Sequence, residues 1–371
     1  MTENKSFWFG KRVLVTGGDG FVAAHLIKEL LDLNAVVVTT LRHSRPLMTL
    51  ELIREPGDTQ KPDIEITDLM NHQEVRRVCD RHQIDTIFHL AATAIVSNAA
   101  NSPLSTAENN IIPTLNLLEV ARVNKIPRVI IASTDKSYGD HSSDEKETLP
   151  YQEHYTLRGL DVYSASKVCT DMLAQTYAFQ FKIPVVVTRS SNVYGPGDLN
   201  FTRLIPRTIM RLLANKPPVI NLGNEKVLRE YIYVKDTVNA YLTLGEKIKE
   251  HYGENNRNMP ISGSSTYGWP AFNFGTYSKE DTKDLSKCTS IKSVSDVITI
   301  LCKKMSDISP ITIGKPDNFI EIPDQYMDST KILNLGYKPK TSFEDGINAS
   351  IEWYKKNADV LAKNAEKYIN D

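Results

Sequence analysis

Short runs rich in β-branched residues alternate with longer segments of helical spacing through the first half of the chain. The runs with strand character are residues 12–15, 36–40, 63–66, 86–90, 128–132 and 184–188, and the helical segments are 21–33, 71–82, 103–123 and 162–181. Apolar strands that are followed by helices pair in parallel, because each helix carries the chain back across the sheet. The pattern therefore predicts an α/β fold, with a doubly wound parallel sheet covered by helices on both faces.

The alternation loosens after about residue 190, where Gly-Pro turns occur at 195–197 and a Pro-Pro pair at 217–218. We predict a first domain over 1–190 and a smaller, mainly C-terminal lobe over 191–371. This lobe is discontinuous, since we expect part of 230–275 to return to the first domain. Residues 250–292 are polar and rich in Gly, Ser, Asn and Thr, so we predict a long loop or insertion around 271–275. The tail, 342–354, has the spacing of an amphipathic helix.

The composition argues against several classes of protein. The chain has 371 residues, of which 41% are hydrophobic, and its net charge of -1 offers no basic field for nucleic acid. The longest apolar runs are far too short to cross a bilayer, and the N-terminus lacks the apolar core of a secretory signal. The four cysteines are widely spaced and form neither a zinc motif nor a disulfide framework. We expect a cytoplasmic protein with no metal, no membrane contact and no nucleic-acid partner.

A glycine-containing turn, TGGDGFVA at 16–23, joins the first predicted strand to the first predicted helix. Glycines let the backbone turn sharply and approach a pyrophosphate, while the helix N-terminus supplies free N–H groups and a positive dipole end. Gly17, Gly20, Phe21 and Val22 are the expected contacts. Ala23 takes the place of the third glycine and still permits close packing of helix on strand. The turn predicts a Rossmann-like dinucleotide site, the alternative being a tight turn without a ligand.

The end of the second predicted strand bears on the choice between NAD and NADP. Sites for NAD usually place an acidic residue there, on the ribose hydroxyls. This chain has VTTLRHSR at 38–45, with no carboxylate, and Arg42 is positioned to meet a 2′-phosphate. We therefore expect NADP or NAD, with NADP favoured. The alternative is that Arg42 and Arg45 are solvated loop charges.

A tyrosine and a lysine, Tyr163 and Lys167, share one face of the helix predicted over 162–181. A nearby ammonium lowers the pKa of a phenol, so that the phenolate can accept a hydroxyl proton while hydride leaves for nicotinamide. The pair is common by chance, but here it follows a dinucleotide turn and precedes a predicted strand. It predicts oxidation or reduction at a carbon that carries a hydroxyl group.

Collinear motifs give the chain a resemblance to the extended short-chain dehydrogenases/reductases, the group that modifies nucleotide sugars. The matching motifs are TGGDGF at 16–21, DL at 68–69, HLAA at 89–92, Asn110, Tyr163 with Lys167, RSSNVYGPG at 189–197 and REYIYVKD at 229–236. The resemblance implies that Asp68 and Leu69 flank the adenine of the cofactor. It also implies that Leu90, Ala91 and Ala92 line the cofactor site.

The same resemblance implies a nucleotide-diphosphate sugar as substrate. Asn192 and Arg229 would hold its diphosphate, which suits an amide and a guanidinium that donate to phosphate oxygens. Arg203 and Leu204 lie in the stretch that wraps the nucleotide base. The resemblance further implies a homodimer in which the helices predicted over 103–123 and 162–181 pair into a four-helix bundle.

The triplet Thr134, Asp135 and Lys136 follows the strand predicted at 128–132 and is the most informative motif. Family epimerases usually carry small or hydroxyl residues at the last two positions, whereas hexose 4,6-dehydratases commonly carry an acid pair after the threonine. The Thr-Asp-Lys version resembles the CDP-glucose 4,6-dehydratases. By this resemblance, Tyr163 accepts the C4 hydroxyl proton and Thr134 hydrogen-bonds the C4 oxygen. Asp135 then protonates the departing C6 hydroxyl, and Lys136 assists proton transfer at C5.

We therefore expect a nucleotide-sugar 4,6-dehydratase that oxidises C4, eliminates water across C5 and C6, and returns hydride to C6. A nucleotide-sugar epimerase, C4 dehydrogenase or decarboxylase stays open as an alternative, because all of them begin with oxidation at C4. A non-catalytic dinucleotide-binding module is a further alternative, against which the complete set of Thr134, Tyr163 and Lys167 argues. The triplet at 134–136 separates these enzymes, since only elimination needs a proton donor at C6.

Overall fold

The computed structural model describes residues 6–94, 96–252, 269–306, 308–314 and 322–370. Within these ranges the strands are β1 (Arg12–Thr16), β2 (Val36–Leu41), β3 (Asp63–Ile66), β4 (Thr86–His89), β5 (Val129–Thr134), β6 (Val185–Ser190), β7 (Asn192–Tyr194), β8 (Val219–Asn221), β9 (Leu228–Tyr233), β10 (Ala271–Phe274), β11 (Ile291–Ser293) and β12 (Ile311–Ile313). Seven of them form the central sheet, in the order β10-β6-β5-β4-β1-β2-β3. All neighbours in this sheet are parallel, which confirms the predicted doubly wound α/β fold.

Helices cover both faces of this sheet. The helices of the described residues are α1 (Phe21–Asp32), α2 (Met48–Ile53), α3 (His72–Arg81), α4 (Val96–Asn101), α5 (Pro103–Val123), α6 (Val162–Phe181), α7 (Leu204–Leu213), α8 (Val234–Tyr252), α9 (Val294–Met305), α10 (Thr330–Asn334), α11 (Phe343–Lys356) and α12 (Ala358–Asn370). Helix α1 packs on α8, whereas α5 packs on α3 and α6. Leu14, Val38, Ile87 and Val186 between these layers are at most 1% exposed. Burial of such side chains, about 1.5–3 kcal/mol each, explains why the short apolar runs become strands.

Strand β10 corrects the prediction of a long loop around 271–275. Ala271–Phe274 is fully buried and pairs in parallel with β6 at the edge of the central sheet. The polar residue within it, Asn273, is satisfied because its Nδ2 donates to Tyr151 O at 2.9 Å and its Oδ1 accepts from the Tyr138 hydroxyl at 2.7 Å. Residues 253–268 of the predicted insertion lie outside the described residues.

A smaller set of strands and helices stands beside the carboxyl ends of the central strands. The strands β11, β9 and β7 form a three-stranded sheet, and β12 pairs with β8. These elements have a hydrophobic core of their own, which includes Ile209, Leu301, Ile347 and Tyr354. Helix α11 occupies the tail predicted as an amphipathic helix and begins after Ser342, whose side chain accepts from Asp345 N. The division into domains at residue 190 stays a prediction.

None of the helices in the described ranges combines the length and the hydropathy that a membrane span requires.

Candidate active site

The turn between β1 and α1 is shaped to receive an anion. Gly17 has a φ of 73°, a conformation that favours glycine, and a Cβ added there would lie 2.9 Å from Ala91 Cα. The N-cap residue Gly20 offers no side-chain hydrogen bond to α1, and the first turn of the helix carries no acidic residue. The backbone N–H groups of this helix end are therefore not capped by a side chain, as a diphosphate site requires.

A buried polar chain fixes the adjoining strand ends. Thr16 Oγ1 accepts from the backbone N–H groups of residues 90–91, both at 3.1 Å, and lies 2.8 Å from His89 Nδ1. Thr114 donates to Asn110 O, so its Oγ1 accepts from His89 Nε2 at 3.0 Å. Burial lowers the pKa of His89 to about 3, so the ring is neutral with the proton on Nε2. Sequence reasoning missed the roles of Thr16 and His89, although both lie within motifs quoted above, TGGDGF at 16–21 and HLAA at 89–92.

The predicted cofactor residues that follow β2 and β3 differ in their position relative to the cavity. Arg42 is exposed at the rim of the cavity, where its Nη2 donates to Asn109 Oδ1 at 2.8 Å. Arg45 forms an ion pair with Asp19 of the phosphate-binding turn. Leu69 lines the cavity, whereas Asp68 is not among the residues that line it, and its contact with the adenine stays a prediction. The carboxylate of Asp68 accepts from Met70 N at 3.0 Å and so stabilises the local turn.

One cavity of about 1770 Å³ brings the predicted cofactor and substrate residues together. Its volume exceeds the roughly 300–1,000 Å³ of a pocket for one small ligand, as a site for two nucleotides must. The predicted residues that line it are Gly17, Gly20, Phe21, Val22, Arg42, Leu69, Leu90, Ala91, Ala92, Thr134, Asp135, Lys136, Tyr163, Asn192, Arg203, Leu204 and Arg229. Lys167 is buried behind this wall.

The triplet Thr134, Asp135 and Lys136 lies where β5 ends. Thr134 is the last residue of the strand, and its Oγ1 accepts from Lys136 N at 3.3 Å as the chain enters a 3-10 helix, Asp135–Tyr138. Asp135 is 1% exposed, and its Oδ1 accepts from Thr134 Oγ1 at 3.1 Å and from Lys136 Nζ at 3.4 Å. Lys136 Nζ also donates to Asn192 Oδ1 at 3.4 Å. A shielded carboxyl therefore lies beside an ammonium that links β5 to β7.

The tyrosine and lysine come from the first two turns of α6, which Asp161 caps by accepting from Ser164 N at 3.0 Å. Burial raises the pKa of Tyr163 to about 12, and the positive charge of Arg203 is the largest influence that opposes the rise. Lys167 Nζ donates to Ala132 O at 2.5 Å, and burial lowers its pKa to about 8. The ammonium of Lys167 is thus directed to a backbone carbonyl, and its effect on the pKa of Tyr163 stays a prediction.

The predicted substrate residues also line the cavity. Arg203 Nη1 pairs with Asp198 Oδ2 at 3.0 Å, although 41% of the arginine side chain is exposed. Arg229 donates through Nη1 to Leu228 O and Pro323 O, both at 2.8 Å. Its guanidinium is therefore anchored by backbone carbonyls at the position where a diphosphate contact is expected.

One group in the described part of the chain has the composition of a metal site. His141, Asp144 and Glu147 bring ligand atoms within 4.8 Å of one another. Arg158 Nη2, however, lies 2.8 Å from Asp144 Oδ2 and 3.6 Å from Glu147 Oε2. Because an arginine already supplies the cation for both carboxylates, the group is accounted for by ion pairs.

Comparisons with known proteins agree with this geometry. Residues 13–258 match the family model described as the NAD dependent epimerase/dehydratase family. The dTDP-D-glucose 4,6-dehydratase of Bos taurus is 31% identical, over 97% of this chain and 93% of the relative. A trifunctional UDP-glucose 4,6-dehydratase/UDP-4-keto-6-deoxy-D-glucose 3,5-epimerase/UDP-4-keto-L-rhamnose-reductase of Arabidopsis thaliana is 30% identical over 94% of this chain. This chain spans only about half of that enzyme, 48% of its length.

The crystal structure of DesIV, a dTDP-glucose 4,6-dehydratase from Streptomyces venezuelae, superposes with a TM-score of 0.76 at 22% identity, covering 95% of this chain and 99% of that one. It shares the fold, with strands and helices in the same arrangement. The relative that matches over most of its length carries the name dTDP-D-glucose 4,6-dehydratase. The likeness to the CDP-glucose subgroup stays a prediction. The chain belongs to the NAD dependent epimerase/dehydratase family.

Proposed function

We propose that the protein is a nucleotide-sugar 4,6-dehydratase, an enzyme that converts a nucleotide-diphosphate hexose into its 4-keto-6-deoxy derivative. The observation that carries the proposal is the meeting of Tyr163 with Asp135 and Lys136 in one cavity. A tyrosine base serves oxidation at C4, whereas a buried carboxyl beside an ammonium serves the elimination that follows. Epimerisation at C4 needs no proton donor at C6, so the pair favours the dehydratase.

The residues around the phosphate-binding turn fit a nicotinamide dinucleotide, since a Cβ at Gly17 would fill the cradle and α1 has no side-chain cap. When bound, the dinucleotide supplies the hydride acceptor for oxidation. DesIV was crystallised with NAD. For this chain we propose NADP or NAD, with NADP favoured, because Arg42 lies at the cavity rim and no carboxylate follows β2 closely in sequence.

The protein's own groups divide the chemistry between two steps. Tyr163 accepts the C4 hydroxyl proton during oxidation, while Thr134 hydrogen-bonds the same oxygen. The C4 ketone acidifies the proton on C5. Lys136 accepts that proton, directly or through water, once its ammonium has passed a proton to the neighbouring carboxyl of Asp135. Asp135 donates its proton to the departing C6 hydroxyl, so that water leaves as the C5–C6 double bond forms. Lys136 returns a proton to C5, and the hydride that a bound dinucleotide would supply at C6 would complete the product.

We assign the binding of the substrate to a second group of cavity residues. We assign Asn192 and Arg229 to the diphosphate and Arg203 with Leu204 to the nucleotide base, and all four line the cavity. The relatives act on dTDP-glucose and UDP-glucose by name. The Thr-Asp-Lys triplet adds CDP-glucose to the candidates for this chain.

The chain is also proposed to act as a homodimer in the cytoplasm. Helices α5 and α6 pack together and leave apolar side chains in solvent, with Leu104 71%, Ile112 37% and Met172 51% exposed. Such side chains on two neighbouring helices support a four-helix bundle formed by two subunits. All four cysteines are unpaired, which supports a reducing compartment.

Incubation of the purified protein with CDP-, dTDP- and UDP-glucose, followed by mass spectrometry, tests the function. We expect loss of one water from one of these sugars without net consumption of added cofactor. Inversion at C4 with no change of mass would indicate an epimerase. Loss of two hydrogens, with stoichiometric consumption of cofactor, would indicate a C4 dehydrogenase.

A further inference from the structure

A segment far along the chain, residues 322–328, lies against β9 and reaches the catalytic triplet. Gln325 N donates to Leu228 O at 3.0 Å, and Glu230 N donates to Gln325 O at 3.2 Å. Asp324 Oδ1 accepts from Leu228 N at 2.8 Å. The segment is thus held to the strand that carries Arg229, through both backbone and side-chain bonds.

The side chain of Gln325 turns from this segment toward Asp135. Gln325 is 1% exposed, and its Nε2 donates to Asp135 O at 2.9 Å across 190 residues of sequence. The group that faces a carbonyl oxygen must be the amide nitrogen, so the orientation of the amide is fixed by chemistry. The other amide atom, Oε1, is buried without a hydrogen-bond partner among the described residues.

The unpartnered Oε1 of Gln325 lowers the stability of the folded protein. A buried polar atom without a partner costs about 1–3 kcal/mol, which an apolar side chain of the same length would avoid. One hydrogen bond typically returns only about 0.5–1.5 kcal/mol. Stability alone therefore does not favour glutamine at 325, and its amide is better explained by what it does to Asp135.

Asp135 is held from two sides. Thr134 and Lys136 contact its carboxyl, at 3.1 and 3.4 Å, and Gln325 fixes its backbone carbonyl. Fixing the backbone at the first residue of the 3-10 helix also fixes the direction in which the side chain leaves it. A proton donor must stand within hydrogen-bond reach of the leaving oxygen, and a displacement of about 1 Å can cost about 10²-fold in rate.

We propose that Gln325 is a positioning residue that holds Asp135 in place for protonation of the C6 leaving group. The inference rests on the proposed dehydratase function and extends it to a residue outside the sequence motifs. The same segment binds the guanidinium of Arg229 through Pro323 O at 2.8 Å. One element thus supports both the proton donor and the residue assigned to the substrate's diphosphate.

The variant Gln325→Met tests the proposal, because methionine keeps the length and removes both polar atoms. Single-turnover reactions with the nucleotide sugar found to be the substrate are quenched over time, and mass spectrometry separates the 4-keto sugar from the dehydrated product. We expect oxidation at the wild-type rate, elimination slowed by about 10- to 100-fold, and accumulation of undehydrated 4-keto sugar. The melting temperature should be unchanged or higher.

The control is Asp324→Ala, which removes a bond between the same segment and Leu228 but touches no atom of Asp135. We expect it to leave the ratio of the two rates unchanged. Wild-type elimination in Gln325→Met, or an equal loss of both steps in the two variants, would overturn the positioning role. Failure of the wild-type protein itself to release water would refute the proposed function, and the inference with it.

Discussion

The ammonium of Lys136 lies 3.4 Å from Oδ1 of Asp135, its neighbour in sequence. Asp135 is 1% exposed, whereas 29% of the Lys136 side chain is exposed. The two groups therefore have different access to a bound sugar. Asp135 is shielded from solvent, whereas the partly exposed side chain of Lys136 can exchange protons with water. This asymmetry supports Asp135 as the acid toward C6 and Lys136 as the base toward C5.

Replacement of Asp135 by asparagine should separate oxidation from water loss. Asparagine keeps the shape of the side chain but carries no acidic proton, so C4 is oxidised while elimination stalls. In a single turnover we expect near-ultraviolet absorbance of reduced nicotinamide together with undehydrated 4-keto sugar. Release of water at the wild-type rate would remove Asp135 from the proposed mechanism and move the epimerase or dehydrogenase alternative ahead.

Replacement of Tyr163 by phenylalanine should slow the first step instead. The phenol is buried and its pKa is raised to about 12. Nearby positive charge must therefore stabilise the phenolate for Tyr163 to act as a base in the wild type. Loss of a general base typically costs about 10²–10⁴-fold, and we expect a loss of that order in C4 oxidation. Stopped-flow absorbance measures it. The binding of substrate, measured by calorimetry, should stay within a factor of about three.

Much of the fold could be predicted because burial leaves a period in the sequence. The helices Pro103–Val123 and Val162–Phe181 have the predicted bounds, as does the strand Asp63–Ile66. Strand β10 was missed for a physical reason. Asn273 interrupts its short apolar run, and the groups that satisfy this buried amide, such as the hydroxyl of Tyr138, lie far away in sequence.

The candidate site, like the fold, could be predicted from the sequence only in part. Motifs in which the functional residues adjoin a strand end or a helix start could be recognised locally, and the triplet at 134–136 is one of them. The bond from Gln325 to Asp135 spans 190 residues, so no local pattern predicts it. The ammonium of Lys167 is directed toward Ala132 O. This direction depends on how α6 packs on β5, so the sequence alone does not predict it.

Replacement of Arg42 by alanine should weaken NADP more than NAD. Its guanidinium lies at the cavity rim, 2.8 Å from Asn109 Oδ1, and we expect it to pair with a 2′-phosphate. A charged hydrogen bond of about 1.5–3 kcal/mol predicts a loss of about 10- to 100-fold in NADP affinity. Fluorescence titration of both cofactors measures it, and the affinity for NAD, which has no 2′-phosphate, serves as the internal control. Mass spectrometry that recovers NAD alone from the purified wild type would contradict the NADP preference.

Replacement of Ile112 and Met172 by glutamate should convert the proposed dimer into a monomer. Both side chains are apolar and exposed, at 37% and 51%, on the paired helices α5 and α6. A charge buried in an apolar interface without a partner is strongly unfavourable. Light scattering at micromolar concentration should give a dimer for the wild type and for Val360→Glu, whose position is 54% exposed on α12. A monomeric wild type would refute the dimer.

Glutamate 230 should make the stability of the protein fall as pH rises. Burial raises the pKa of Glu230 from 4.5 to about 7, and the charge of Asp135 adds to the rise. Between these values the folded chain keeps a proton that the unfolded chain has released, so the free energy of unfolding decreases with increasing pH. Each unit of difference in pKa is worth about 1.4 kcal/mol. Above about pH 7 the free energy of unfolding should therefore be lower by up to about 3 kcal/mol.

The variant Glu230→Gln resembles the protonated side chain and should lack this loss. We expect its melting temperature to equal that of the wild type at about pH 5 and to exceed it by a few degrees at about pH 8. Glu65→Gln is the control of opposite sign. A hydrogen bond from His82 lowers the pKa of Glu65, so its charge stabilises the fold at neutral pH and its removal should destabilise the protein there. A Glu230→Gln variant that is less stable than the wild type at about pH 8 would show that the ionised carboxylate, with its bonds from Thr276 and Met327, is the favoured form.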